Sequence, residues 1–506
     1  MKSYVGFAIL ALVAALSPYL PHPYLLFLWF AAISALCLVV TSSPELGLLC
    51  AFVFTAGWSP RLTHDVGGIP AFVILIVIAG ALAGIARFGD LRLKFGDGVA
   101  RRQFWVLDLF VVLGILTSLL NQELNWAIYF LLVALTVRVS YRVCSRSVAN
   151  LWRFETVVLA SGILIGAFAT LLFFRQFQLG AQGYANALSR VATGMAEMDQ
   201  EQVLALPLRL GSGLYRASGT LFHPMDLAQF ITPVLFLALG VSVFESAHRR
   251  LLGLLGLATC IVAVFVSFVR GAWVGTFVGL LFAGIAILVV KGGQRTFRTI
   301  AVGAAIGIAV LLFLPLIASV LEETRLGEPV VRRVSSILEF KSDPSAVGRF
   351  VFYVQALQLA VSDPARIAMG GTHAESWALF GSPGDPGANA HNNFLQLAVV
   401  RGVGTALAYL LIFVTWVYLG LRTVGRSVVR RSRNSTFRLS PAAAAMFVGG
   451  VGALSSLFIQ YQFAYSLPWY RSQLMFWALL GAYAASLKYL APVSSDASHV
   501  RSGGQS

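Results

Sequence analysis

The chain has 506 residues, 58% hydrophobic and only 11% charged, with a mean hydropathy of +0.80. Soluble proteins carry about 25% charged residues, so an ordinary soluble domain is excluded. The net charge is +16, yet the Lys and Arg residues sit mostly in short loops between apolar runs, which argues against nucleic acid as a partner.

Apolar runs of about twenty residues recur from end to end. They predict an all-α, polytopic membrane helix bundle. About fourteen spans are expected: 3–19, 23–41, 45–57, 69–86, 104–120, 125–141, 156–174, 224–244, 251–269, 272–290, 299–320, 393–420, 441–462 and 468–490. The first follows Lys2, lacks an A-x-A cleavage site and is read as an uncleaved helix. The third is the shortest.

One set of loops collects Arg87, Arg92, Lys94, Arg101 and Arg102, then Arg138, Arg142, Arg146 and Arg153, then Arg249 and Arg250. Lys291, Arg295 and Arg298 continue it, and Arg422, Arg426, Arg430, Arg431, Arg433 and Arg438 complete it. The positive-inside rule places these loops, Lys2, Lys488 and Arg501, and hence both termini, in the cytoplasm. The chain then divides into N-terminal helices (1–174), a first long external loop (175–223), central helices (224–320), a large external loop (321–392), C-terminal helices (393–490) and a disordered polar tail (491–506). Two long loops on one face are too long for mere connections and point to function there. No internal repeat stands out, which weakens an inverted-repeat transporter. Cys37, Cys50, Cys144 and Cys260 all lie away from the long loops, so neither a structural disulfide nor a Cys-ligated metal is expected.

Inside the large loop, Asp343 and Pro344 start a helix that Asp363-Pro364 is expected to end. Val347, Val351, Val354, Leu357 and Val361 form one apolar stripe along it, suited to the membrane surface or to roofing the bundle. Arg349 stands in its first turn.

Four basic side chains stand out. Arg270, in "FVSFVRGAWVGTF", sits between two apolar runs with almost no loop. An arginine within a membrane helix costs roughly 2.5–3.5 kcal/mol on insertion scales and marks a candidate functional site; snorkelling to the headgroups is its bland explanation. Arg216 precedes the eighth span in "LYRASGTLFHPMDLAQF", where helix capping is the plain alternative. Arg349 alone reads as a solvated charge. His391 lies in "NAHNNFLQL" with Asn389, Asn392 and Asn393, at the mouth of a span. All fall on the external side of the layout. Guanidinium groups suit phosphate, and an imidazole can take a proton from a hydroxyl. Together they fit a pyrophosphate-linked lipid substrate.

The same residues carry a resemblance to the bacterial O-antigen ligases and the superfamily they share with O-antigen polymerases. "HNNFLQLAVVRGVGT" matches the ligase signature at His391, Asn392, Gly402 and Thr405. Gly348-Arg349 matches a "GR" near the start of the large loop, and Val269 to Ala272 matches an "SRGA"-like element with Val in place of Ser. "RASGTLFHPMDLA" resembles R-x-x-G-T-F-x-N-P-N-x-L-A, with His223 where Asn is common. The resemblance covers about residues 210–420, in segments. It implies a GT-C-like fold in the bacterial inner membrane. It also implies an inverting glycosyltransferase that moves a preassembled glycan from undecaprenyl pyrophosphate to an acceptor hydroxyl on lipid A-core, without metal or other cofactor, on the periplasmic face. Arg270 and Arg349 would hold the pyrophosphate, His391 would act as base, and Arg216, Asn389, Asn392 and Asn393 would bind or orient substrate. Asp226, Glu375 and Asp385 are scattered and form no paired acidic motif for Mg²⁺. Such ligases usually have about twelve spans, and the count of about fourteen keeps open a polymerase that joins lipid-linked repeat units, or more distantly a polysaccharide flippase.

Overall fold

The computed structural model describes residues 43–58, 98–193, 209–210, 214–221, 223–291, 330–331, 344–372, 375–376, 390–431, 440–463 and 470–490. The expected spans 3–19, 23–41, 69–86 and 299–320, the tail and Asn389 lie outside these residues. Among the described residues, eight helices are long and apolar enough to cross a membrane. The third expected span is a shorter helix, α1 (Pro44–Trp58). There follow α2 (Gly98–Leu120), α3 (Leu124–Cys144) and α4 (Val148–Thr193). A two-residue antiparallel pair, β1 (Arg209–Leu210) and β2 (Leu214–Tyr215), leads into α5 (Pro224–Phe244), α6 (Ala247–Val266) and α7 (Arg270–Lys291). The large loop contributes α8 (Pro344–Ala360) and α9 (Pro364–Met369), before α10 (Asn393–Arg431), α11 (Pro441–Gln460) and α12 (Tyr470–Leu490).

The centre is α11, "PAAAAMFVGGVGALSSLFIQ", which is buried almost throughout and packs against α5 and α7. Lipid tails are as apolar as leucine, so helices in a membrane associate by close packing, and small residues let their backbones meet. A Cβ at Gly240 of α5 would lie 2.3 Å from the Ala445 carbonyl oxygen, and one at Gly275 of α7 would lie 2.6 Å from that of Ser456. Polar contacts add to this packing. Gln460 Nε2 donates to Thr232 Oγ1 at 2.9 Å and to Ser456 Oγ at 3.2 Å, joining the end of α11 to the start of α5.

The two ends of the bundle differ. At one end α5, α7 and α10 begin and α11 finishes. At the other, Lys488 Nζ donates to the Ser145 carbonyl at 3.0 Å, and Arg249 lies 3.1 Å from Glu155, pairs with Glu245 and covers the Trp152 ring. Arg249 and Lys488, described members of the basic set that gives the expected orientation, thus lie at this second end.

Helix α10 is bent at Gly402, where φ is +80°. A bend frees carbonyls from the helical ladder, and buried carbonyls need donors. Gly371 N–H takes the Val399 carbonyl at 2.8 Å, while Arg401 and Asn121 take that of Val400 at 2.7 and 3.4 Å. The Asn121 amide also donates to the Met369 and Gly371 carbonyls, both at 3.1 Å. Arg401 is fully buried; it pairs with Glu123 and stacks over Trp126, 5.0 Å from the ring centre. The strap that follows α9 is thereby clamped into the bend.

Three boundaries differ from expectation. The helix expected at 156–174 continues to Thr193, so the first long loop begins as helix; polar residues can extend a helix beyond its apolar stretch. Helix α10 likewise runs to Arg431, carrying Arg422, Arg426, Arg430 and Arg431 on helix rather than loop. Asp363 does not simply end the loop helix. That helix stops at Ala360, and the Asp363 carboxylate accepts from Arg366 N–H at 2.9 Å, starting α9.

A Cβ at position 402 would sit 2.5 Å from the Ala368 carbonyl oxygen, in a backbone region that L side chains rarely adopt. Gly402→Ala is expected to cost about 1–3 kcal/mol, read as a lowered unfolding temperature of the detergent-solubilised protein.

Candidate functional site

The turn 461–463, just past α11, gathers the mouths of the other helices. Asn393 N–H donates to the Tyr461 carbonyl at 2.8 Å. Asn392 Nδ2 donates to Gln462 Oε1 at 3.0 Å. The Tyr353 hydroxyl of α8 donates to the Gln462 carbonyl. A Cβ on Gly271 would stand 3.2 Å from Cβ of Phe463. One short turn thus touches the segments that carry His391, Arg349 and Arg270.

His391 is pinned from both sides. Ala390 N–H donates to Gln396 Oε1 at 3.0 Å, and Gln396 Nε2 reaches Ser376 Oγ at 2.6 Å. Asn392 caps α10, its Oδ1 accepting from Phe394 and Leu395 N–H at 2.9 and 3.1 Å. Between these anchors His391 adopts φ +46°. A non-glycine residue in this region costs about 1–3 kcal/mol and persists only where its surroundings hold it. The imidazole packs on Phe352 of α8, with ring centres 6.2 Å apart.

Arg270 opens α7 directly after a strained connection. Phe268 has φ +51° and is buried against Phe173, Phe265 and Trp273. Ser267 Oγ donates to the Val264 carbonyl at 2.6 Å and accepts from Val269 N–H at 3.4 Å. A hydroxyl therefore stands two residues before Val269, the position where the resemblance predicts serine.

Arg216 lies on a segment fixed to two helices. Gln176 of α4 pairs with Tyr215 in both directions, accepting from its N–H at 2.8 Å and donating to its carbonyl at 3.2 Å. Ala217 N–H donates to the Val266 carbonyl at 3.0 Å. The segment reaches His223, which caps α5 by accepting from Met225 N–H on Nδ1 at 3.1 Å. The neutral ring must then carry its proton on Nε2. Burial, with the charges of Arg216 and then His391 beside it, lowers the His223 pKa to about 4. His223, Arg216 and His391 are thus electrostatic neighbours.

Arg216, Arg270, Arg349, His391, Asn392 and Asn393 therefore all lie at the same end of the bundle. Arg349 stands one helical turn before Tyr353, so both project from one face of α8. The Tyr353 phenol is pushed up by burial, with Arg349 pulling it back. Asn392 is buried and its amide is committed to the cap and to Gln462. Gln462, Tyr353, Gln396 and His223 were not among the sequence candidates. Of these, only Tyr353, four residues after Arg349, had a readable spacing. Among the described residues no three His, Cys, Asp or Glu side chains gather as for a metal ion. Glu375 forms a reciprocal cap with Thr372, each backbone N–H bonding the other's side chain at 3.1 Å. Asp226 is buried in the first turn of α5.

Residues 255–410 match the family model described as O-antigen ligase. Over this stretch the chain is similar to O-antigen ligases. The matched stretch holds Arg270, Arg349, His391, Asn392 and the bend at Gly402, while Arg216, His223 and the 461–463 turn fall outside it. No curated protein matches the chain. This match supports a glycan-transfer role of the ligase or polymerase kind in a multi-pass membrane protein.

For His223 the pH linkage has a definite sign. Its folded pKa of about 4 lies below the ordinary 6.5, so the unfolded chain binds the proton more readily. The stability of this ligase-like protein should be full above pH 6.5 and fall as pH drops toward 4. His223→Asn keeps a capping side chain and should flatten that decline in unfolding temperature against pH.

Proposed function

We propose that this protein transfers a preassembled glycan from a polyprenyl pyrophosphate, of the undecaprenyl type, to an acceptor hydroxyl at the periplasmic face of the bacterial inner membrane. The observation that carries this reading is the meeting of the segments bearing Arg270, Arg349 and His391 at one turn, within an O-antigen ligase-like chain.

In the proposed reaction His391, as neutral imidazole, accepts the proton of the acceptor hydroxyl. The hydroxyl oxygen attacks C1 of the glycan from the face opposite the phosphate, the C1–O bond breaks, and its electron pair leaves with the pyrophosphate. Inversion at C1 follows. Arg270 and Arg349 stabilise the charge gained by the leaving group, as preorganised donors do in a site shielded from water. Arg216 adds a third positive charge from the α4 side, and His223 offers a neutral N–H. Asn392 holds the backbone of the base in place, and Asn393 supports it on Tyr461; Asn389, outside the described residues, is assigned the orienting of substrate sugars. No metal is required, because the guanidinium groups carry the charge that Mg²⁺ would otherwise neutralise.

The acceptor separates the two close readings. Purified protein given lipid-linked donor should consume lipid A-core if it is a ligase, and a second lipid-linked glycan if it is a polymerase. His391→Ala should reduce transfer by about 10²–10⁴-fold with donor binding retained. Arg349→Ala should cost about 10²–10³-fold. Unchanged transfer by His391→Ala would reject the assigned base. Transfer should proceed fully in EDTA; loss that Mg²⁺ restores would overturn the metal-free mechanism.

A further inference from the structure

Helix α8 is amphipathic in the reverse sense to a helix washed by water. Its outward side exposes Val347 (47%), Phe350 (62%), Val351 (48%), Val354 (41%), Leu357 (55%) and Val361 (51%). Its inward side holds Ala356 and Ala360, both buried, with Arg349, Phe352 and Tyr353 half-buried. The charged and hydroxylated residues face the protein and the site, and the valines face away. Of the exposed glutamines, Gln358 lies within this arc and Gln355 at its edge, and neither carries a charge. Contiguous exposed apolar surface of this kind marks a binding surface, and a helix in water would reverse the pattern.

The neighbouring surface says what covers it. α8 packs on α10, whose outward face exposes Leu407, Leu411 and Val414 along its membrane-crossing length. Ile367 of α9 continues the apolar surface on the loop side.

We propose that α8 lies in the bilayer, its Val347–Val361 stripe in contact with lipid acyl chains of the leaflet at the site's end, with Gln355 at the headgroup edge. The partner is hydrocarbon, as for other in-plane amphipathic helices. The loop helix is then a lipid-side wall of the site rather than an aqueous lid. If the proposed glycan transfer is correct, a lipid-linked pyrophosphate meets Arg349 without leaving the membrane; the wall itself does not depend on that reading.

The test uses the full chain in phosphatidylcholine–phosphatidylglycerol liposomes. The three described native cysteines, Cys50, Cys144 and Cys260, are buried. With these and Cys37 replaced, nitroxide labels are placed singly at Val354, Leu357 and Gln355. Power saturation then compares collision with oxygen, which partitions into lipid, and with a water-soluble nickel chelate. The oxygen-to-nickel ratio should be several-fold higher at Val354 and Leu357 than at Gln355. Equal nickel access at all three would mean a water-facing helix. Shielding of Val354 from both reagents would mean a protein occupant, such as a second copy. Either result overturns the proposal. Because the chain has ten tryptophans, an independent readout should a label disturb folding is the fluorescence that Val354→Trp adds over the parent protein; if brominated lipid does not quench that added emission, the proposal is overturned as well. No glycan donor is present, so failure here leaves the catalytic reading untouched.

Discussion

The large loop and the mouth of α10 meet at the site's end of the bundle on one residue, Gln462. Its side chain holds Asn392, and its carbonyl holds Tyr353. The first contact sets the mouth of α10 and the second sets α8, the helix that carries Arg349. The central helix α11 delivers this residue, and α11 is itself seated by glycine-mediated contact with α5 and α7. A membrane bundle has little hydrophobic drive to order its helices against one another, so the location of the polar turn follows from backbones that can approach closely.

That scaffold sustains unfavourable local states. His391 and Phe268 both occupy the left-handed region, each next to a residue assigned to the chemistry or carrying that assignment itself. Backbone strain of this kind is held by surroundings that over-determine it. Here these are the Gln396 and Asn392 anchors around His391 and the aromatic cluster around Phe268. Arg401 is buried in α10, the helix that follows His391, and it has Glu123 and Trp126 as partners. Its role is to secure the bend.

Hydropathy made the described spans legible, because each is local and about the right length. Arg270 stands out because it is out of place between two apolar runs, whereas Arg349 and His391 are singled out mainly by the resemblance of Gly348-Arg349 and of the "HNN" segment. Arg401, in "VVRGVGT", is as out of place in its apolar run as Arg270, and only the fold shows that Glu123 and Trp126 partner it. Gln462 had no such mark. A glutamine after a helix is unremarkable in sequence, and its partners lie 70 and 109 positions away. His223 was visible only as a departure from a family pattern; its tautomer and its lowered pKa require the fold. The extension of α4 to Thr193 escaped notice because hydropathy registers the membrane portion of a helix and not its polar continuation.

The bend at Gly402 ties two parts of the molecule that sequence keeps apart. Carbonyls that the broken helix releases are taken up by Gly371 of the large loop and by Asn121 at the end of α2. The strap at 370–371 is therefore a mould for the helix that His391 precedes. Sequence drift elsewhere in the loop has to spare this strap, and grafting a foreign loop without it would leave α10 a straightened, misdirected stem.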